Sequence, residues 1–391
     1  MIKRLDLDKY ADRLEASRQR MAAATSFREG DRVATNVSAA GSYYSWLFGV
    51  NIRDYYTDID AQLHVQTEAL QWRLDNLPDD NTGFGVYLDR GPIGEALVFD
   101  CEIAYPDNTS PVIRRFVKTP RDIEKLQFPD PADNPRLAEH FELGQRFVDR
   151  AKELGLEMAV GAGGIGIHPP LSCACAIMDP ADVYALMLED PPLVQKLFAQ
   201  CFDAFCAVKE YCDVKLTGQV QRRSLGLADD NSAFVSDDLY CDQVLPWNLQ
   251  LYERYGQEGR YLHADGPNQH HYRTYADIVR LNQMDIGGWS ELEPAVEHFK
   301  GRVVFSGNLN NIDFYGELDE RLRWKIRDCL RTAAPGGGYI LAIGGETYPM
   351  AKPGTLCAAF EYAHEVGRFP LDLPSREDDP PPPGTVEVYT Q

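Results

Sequence analysis

At 391 residues, with 44% hydrophobic and 25% charged side chains, the chain is an ordinary globular one, long enough to bury a large core as one barrel or as two smaller domains. Its formal charge of −21 excludes a broad phosphate-binding surface, because nucleic-acid binding needs Lys and Arg to displace condensed counterions. The 9 cysteines are scattered, odd in number and form no C-x-x-C pair, which reads as reduced thiols of a cytoplasmic protein. No apolar run in the first thirty residues resembles a signal-peptide core and no stretch approaches a membrane span, so a soluble, unexported chain without membrane contact is expected.

In chain order, residues 32–37 (RVATNV) read as a first strand, and residues 82–106 as one or two hairpins. Residues 129–155 form a proline-rich approach followed by a helix. From there one theme repeats: a short apolar, Gly-containing run ending in polar residues, then an amphipathic stretch of helical period. The runs are Glu157–Ile167, Asp213–Val220, Arg260–Gly266, Asp285–Ser290, Arg302–Leu309 and Gly337–Gly345. Residues 180–212 and 319–334 carry the apolar spacing of helices packed on one face. That alternation is the rhythm of a β/α barrel, and the polar and glycine residues at the C-terminal ends of the strands fall where such barrels build their sites. One domain over residues 1–391 is expected, closed by an extended tail at 375–391.

Several segments together resemble the uroporphyrinogen decarboxylase superfamily, over Asp31 to Gly367. They are DRVATNV with LFGVNIRDYYTDIDAQLHVQTEAL, KTPRDIEKLQFPDP, residues 227–247, HADG at 263–266, residues 306–320 and residues 334–349, in the family's order and spacing. The resemblance implies an α/β fold, a (β/α)8 TIM barrel with an N-terminal extension over the barrel mouth, and a homodimer. It lies nearer the methylcobamide:thiol methyltransferases than the haem-pathway decarboxylase, whose arginine-bearing N-terminal segment has no counterpart here. The branch implies zinc and a corrinoid such as methylcobalamin as co-substrate, carried by a corrinoid protein. Where its thiol-activating members read His-x-Cys-Gly and place a second cysteine in the last strand's loop, this chain has Asp265 and Gly345.

His263 and Asp265 lie two apart at a strand end, so both side chains project to one side of the pleat. With Glu346 from the last loop they read as a zinc set of nitrogen and carboxylate donors with an open position; the other reading is a hydrogen-bonded pair holding a loop. Loss of the thiolates makes any metal a harder Lewis acid. His270 and His271 are second choices for the same metal. Asp229 is expected to contact substrate and act in acid catalysis, and Asp230 to cap a helix. Tyr55, His168, Trp289 and Asn308 are the remaining expected substrate contacts. For Tyr55, with Tyr56, the competing role is an anchor for its segment; for His168, a structural loop histidine; for Trp289, burial against the core. Cys173 and Cys175 form a C-x-C without further metal-ligand spacing.

Three functions follow. A corrinoid-linked methyltransferase or demethylase acting on a small methylated substrate leads. A metal-free decarboxylase or other lyase on a smaller substrate than uroporphyrinogen is the alternative, and a non-catalytic ligand-binding barrel the third.

Overall fold

The computed structural model describes residues 1–385. Its strands are β1 (Ala34–Asn36), β2 (Gly85–Tyr87), β3 (Ile103–Ala104), β4 (Val112–Ile113), β5 (Ala159–Gly161), β6 (Ser224–Ala228), β7 (Gly259–Ala264), β8 (Gln283–Ile286), β9 (Val304–Leu309) and β10 (Tyr339–Ile343). The chain falls into two compact, discontinuous units: residues 1–3, 48–67 and 85–262 form the first, and residues 4–47, 68–84 and 263–391 the second. Strand β7 runs from one into the other. Among the described residues no helix is long and apolar enough to cross a membrane.

In the second unit β1, β10, β9 and β8 pair in parallel, with Ala34 opposite Ile340, Tyr339 opposite Phe305 and Gln283 opposite Val304. Every residue of β10 is buried, as a parallel strand covered on both faces should be. An aromatic run packs beneath this sheet, with ring centroids 4.8 Å apart for Tyr272 and Phe299 and 5.3 Å for Phe305 and Tyr339. The start of β1 is held by the fully buried carboxylate of Asp80, which accepts hydrogen bonds from Arg32 at 2.8 and 3.0 Å, from the Thr35 amide at 2.9 Å and from Ser17 at 2.9 Å. One buried anion thus ties three chain segments together, its desolvation offset by charge-assisted bonds.

In the first unit β2 pairs in parallel with β5, and β3 with β4 antiparallel. The expected hairpins over residues 82–106 are therefore corrected: β2 takes a distant partner, and a helix, Gly94–Phe99, intervenes. Only β3 and β4 make a hairpin. The expected strand at 213–220 is also corrected. Its first half ends the long Pro191–Thr217 helix, closed by Gly218 in the left-handed region at φ 81°; a glycine C-cap of this kind follows helices, not strands. The true strand, β6, lies later, where an Arg-Arg approach hid it. The tail differs from a free extension too. Trp324 donates to the Asp379 carbonyl at 2.8 Å, and Arg327 and Arg331 bridge the Asp379 carboxylate at 2.8 and 2.5 Å, pinning residues 375–379 on the Glu320–Ala333 helix. Residues 386–391 of that tail lie outside the described residues.

Candidate functional site

Each unit brings polar side chains to the ends of its strands, and the two groups are built differently. In the second unit His263 lies near the end of β7. Its Nδ1 sits 2.6 Å from the Asp285 carboxylate of β8, and its Nε2 lies 3.6 Å from Asp265 Oδ1. Asp285 was not singled out from the sequence, although its position as the polar third residue of the apolar run QMDI was a legible signal. A carboxylate on Nδ1 fixes the imidazole so that Nε2 is the outward nitrogen, the arrangement that commonly stands behind a metal-bound histidine.

Asp265 and Gly345 meet directly. A Cβ on Gly345 would stand 2.6 Å from both Asp265 carboxylate oxygens, and Gly345 has φ 79°. The two positions that would carry thiolates in the thiol-activating relatives are therefore in contact in this chain. The aspartate occupies the space that a side chain at 345 would need. Glu346 is exposed and lies outside the groups of three or more potential ligand side chains that come together among the described residues. His263 and Asp265 adjoin. The rings of His270 and His271 lie 3.9 Å apart, tilted by 48°, with His271 fully buried.

Trp289 and Asn308 do come together. Both line a cavity of about 510 Å³ with Leu292, Leu309, Trp324 and Arg376. Asn308 donates to the Ser290 carbonyl at 2.5 Å, which fixes its amide against the loop that carries Trp289. Trp289 is 40% exposed, so its ring is a wall and not core. The cavity begins at Gly288, just after β8.

In the first unit Asp229 ends β6, but it does not present its carboxylate outward. It is wholly buried, with Ser172 donating to one oxygen at 2.7 Å and Asn248 to the other at 2.9 Å. Burial pushes its carboxyl upward in pKa against those two hydrogen bonds. The expected direct substrate contact is replaced by a buried hub, because both oxygens are already engaged. Asp230 opens the short 3-10 turn Asp230–Phe234, and no side-chain cap forms on Asp229. Tyr55 is buried and donates to Asp89 at 2.9 Å while accepting from Gln66 at 3.1 Å. Those bonds anchor its segment, so of the two readings of Tyr55 the structure takes the anchor.

His168, in the loop after β5, is the one residue here with an engaged and an open side. Its backbone amide and its ring Nδ1 both lie 2.7 Å from Glu95 Oε1, and its side chain is 30% exposed. Glu95 is 0% exposed and sits on the Gly94–Phe99 helix. That helix lies against the chain leading to His168, since a Cβ on Gly94 would meet the Gly166 carbonyl oxygen at 1.8 Å. Burial alone would lower the His168 pKa; the charge and hydrogen bond of Glu95, then Asp230 and Asp229, outweigh it and raise it. Glu95 was missed in the sequence, where a lone acid inside the apolar run IGEALVF marked it.

Alternating parallel strands and helices with polar strand ends define a β/α-barrel protein with a strand-end site. The family model described as uroporphyrinogen decarboxylase matches residues 92–366, and the chain belongs to that family, whose fold is the (β/α)8 TIM barrel. The match begins after the N-terminal segments that also resemble it. Among solved structures, a methyltransferase from Methanosarcina mazei is similar at 15% identity and a TM-score of 0.62, over 89% of this chain and 98% of that one. No curated protein matches.

Proposed function

We propose that the chain is a methyltransferase that moves a methyl group between a small methylated substrate and a corrinoid carried by a partner protein. One observation carries the reading: an imidazole held by Asp285 on Nδ1, with Nε2 beside Asp265, at the strand end where the methyltransferase branch resembles this chain. The fold likeness to a methyltransferase supports the same branch.

His263 and Asp265 suit zinc in donor chemistry, and 3.6 Å between Nε2 and Oδ1 is a separation that two ligands of one ion can have. Zinc bound there would act as a Lewis acid on an oxygen- or nitrogen-bearing substrate. The chain's own residues do the rest. Asp285 holds the His263 tautomer and Asp265 sets negative charge beside it, while Trp289 and Asn308 line a cavity whose walls include none of these three residues.

The experiment is methylation of cob(I)alamin, followed by its visible spectrum, with a panel of methylated amines, thiols and aryl ethers as donors. Zinc content is measured in parallel for wild type and His263→Ala. Turnover with at least one donor, reduced a hundredfold or more by His263→Ala, is expected. Carbon dioxide release from aryl or pyrrole carboxylates without any methylation would replace this reading with the decarboxylase.

A further inference from the structure

Protein interiors leave few spaces larger than one water molecule, so the cavity of about 510 Å³ beyond β8 and β9 is a space that its walls hold open. Four segments of the second unit border it: residues 288–293 after β8, residues 308–313 at the end of β9, the Glu320–Ala333 helix, and the tail at Arg376 and Pro381. Each is tied to a neighbour by polar bonds. Asn308 donates to the Ser290 carbonyl, and Lys325 reaches both Asp313 oxygens at 2.8 Å. Arg376 reaches both Asp328 oxygens at 2.7 Å, and Trp324 donates to the Asp379 carbonyl at 2.8 Å. Walls fixed in this way need little reordering to receive a ligand.

The wall chemistry selects that ligand. Trp289, Leu292, Leu309, Ile312, Trp324 and Pro381 supply the apolar part. The Trp324 Nε1–H is already engaged, so this side chain offers the cavity its ring and not a donor. Two indoles favour a flat aromatic guest, through stacking or edge contacts. The charged part is unbalanced, with Glu291, Glu293, Asp313 and Asp328 against Lys325 and Arg376. Both cations are committed, Lys325 to Asp313 and Arg376 to Asp328 and Glu293. Glu291 is half-buried and has no ion-pair partner among the described residues. An anionic guest would meet excess carboxylate and no available cation, whereas a cationic one meets Glu291 and indoles, which attract cations through their faces.

We propose that this cavity is a ligand site of its own, for a flat aromatic compound that carries a positively charged nitrogen. None of His263, Asp265 and Asp285 lines it, so the site stands whether or not the chain transfers methyl groups. The tail forms one wall through Arg376 and Pro381, and Arg327 and Arg331 fasten it at Asp379. Occupancy and tail ordering are therefore coupled. A ligand held between the tail and the helix stabilises the fastened tail, and unfastening the tail weakens the ligand by the same factor.

The test uses three ring-matched probes, naphthylmethylammonium, the neutral naphthylmethanol and the anionic naphthoate, titrated by calorimetry into the full chain near neutral pH with no corrinoid present. The ammonium should bind tightest and the naphthoate weakest. Glu291→Gln should weaken the ammonium roughly fivefold and leave the alcohol unchanged, and Trp289→Ala should weaken both roughly tenfold. Asp379→Ala should weaken both through loss of the tail wall. Hydrogen exchange at residues 375–385 should slow when wild type is saturated with the ammonium. Melting curves show which variants fold; should one fail, the order of the three probes and the exchange readout, both in wild type, keep the test. No binding of the ammonium at millimolar concentration, binding untouched in folded Trp289→Ala, or exchange at 375–385 unmoved at saturation overturns the site. Naphthoate bound as tightly as the ammonium, or no effect of Glu291→Gln, overturns the ligand class.

Discussion

The Cβ that Gly345 lacks would lie 2.6 Å from both oxygens of Asp265, closer than a carbon and an oxygen can approach without displacement. Two residues that stand where relatives carry a thiolate pair are therefore one structural decision. With Asp at 265, position 345 must be bare, and with φ 79° it also favours glycine for backbone reasons. Gly345→Ala is expected to destabilise the protein by about 1–3 kcal/mol, from the left-handed backbone and the overlap together. Asp265→Ala in the Gly345→Ala background should recover the overlap part and leave the backbone part. A double-mutant cycle by urea denaturation checks this: a coupling of about 1 kcal/mol between the two sites is expected, and strict additivity would mean that they do not touch. The same residue scale explains why Asp229 misled the sequence reading. An acid at a strand end has the same local signature whether it faces a ligand or is claimed by a serine and an asparagine from distant segments, here Ser172 and Asn248.

At the level of elements, β7, β9 and β10 were legible because short apolar runs flanked by glycine have few other places to go, and the residues expected at 260–266 and 302–309 overlap β7 and β9 closely, whereas the run expected at 285–290 shares only Asp285 and Ile286 with β8. The strand expected at 213–220 failed for a physical reason. Val214 and Leu216 sit 49% and 46% exposed on the last turn of a long helix, so their alternation was a surface accident, while the helix stop, Gly218, was read as part of a strand. The pairing of β2 with β5 was beyond local pattern, since strands of three residues carry too short a period to identify. His263 was found because its neighbours form a recognisable motif; Glu95 and Asp285 were missed because each acts through a histidine far away in sequence. The tail shows what composition alone leaves out. Its prolines suggested a free end, yet Asp379 is bridged by Arg327 and Arg331 with all three side chains about 14–15% exposed. Hydrogen bonding from Arg327, reinforced by Arg331, holds the Asp379 carboxyl below its ordinary pKa. A depressed carboxyl contributes its stabilisation above the unfolded value of about 3.9 and loses it as pH falls through the folded one. Amides 375–385 should accordingly exchange faster with solvent in Asp379→Ala than in wild type at pH 7, with the gap closing as the pH is taken below about 3.9. Equal exchange at pH 7 would show that the tail is held by Trp324 and its packing instead.

For the whole molecule the decisive quantity is charge: 60 acidic side chains against 39 basic ones. Many of the basic groups are already committed to local pairs, such as Arg32 with Asp80 and Lys325 with Asp313 at 2.8 Å each, so the excess negative charge lies largely unpaired and repels itself. Salt acts on the two populations differently. Exposed like charges within a Debye length of about 8–10 Å are screened, while pairs with little exposure, Asp80 foremost, are screened much less. Added salt should therefore relieve more repulsion than it weakens attraction. The melting temperature is expected to rise by a few degrees between about 20 mM and roughly 300 mM NaCl, measured by calorimetry at pH 7.5. A fall would mean that surface ion pairs, not net repulsion, dominate the electrostatics. The same field bears on function. It repels nucleic acid and free polyanions, and on the methyl-transfer proposal a corrinoid carrier would have to meet this chain through a basic face. On that proposal the rate of methyl transfer to such a carrier should drop as ionic strength rises, even as the fold itself becomes more stable.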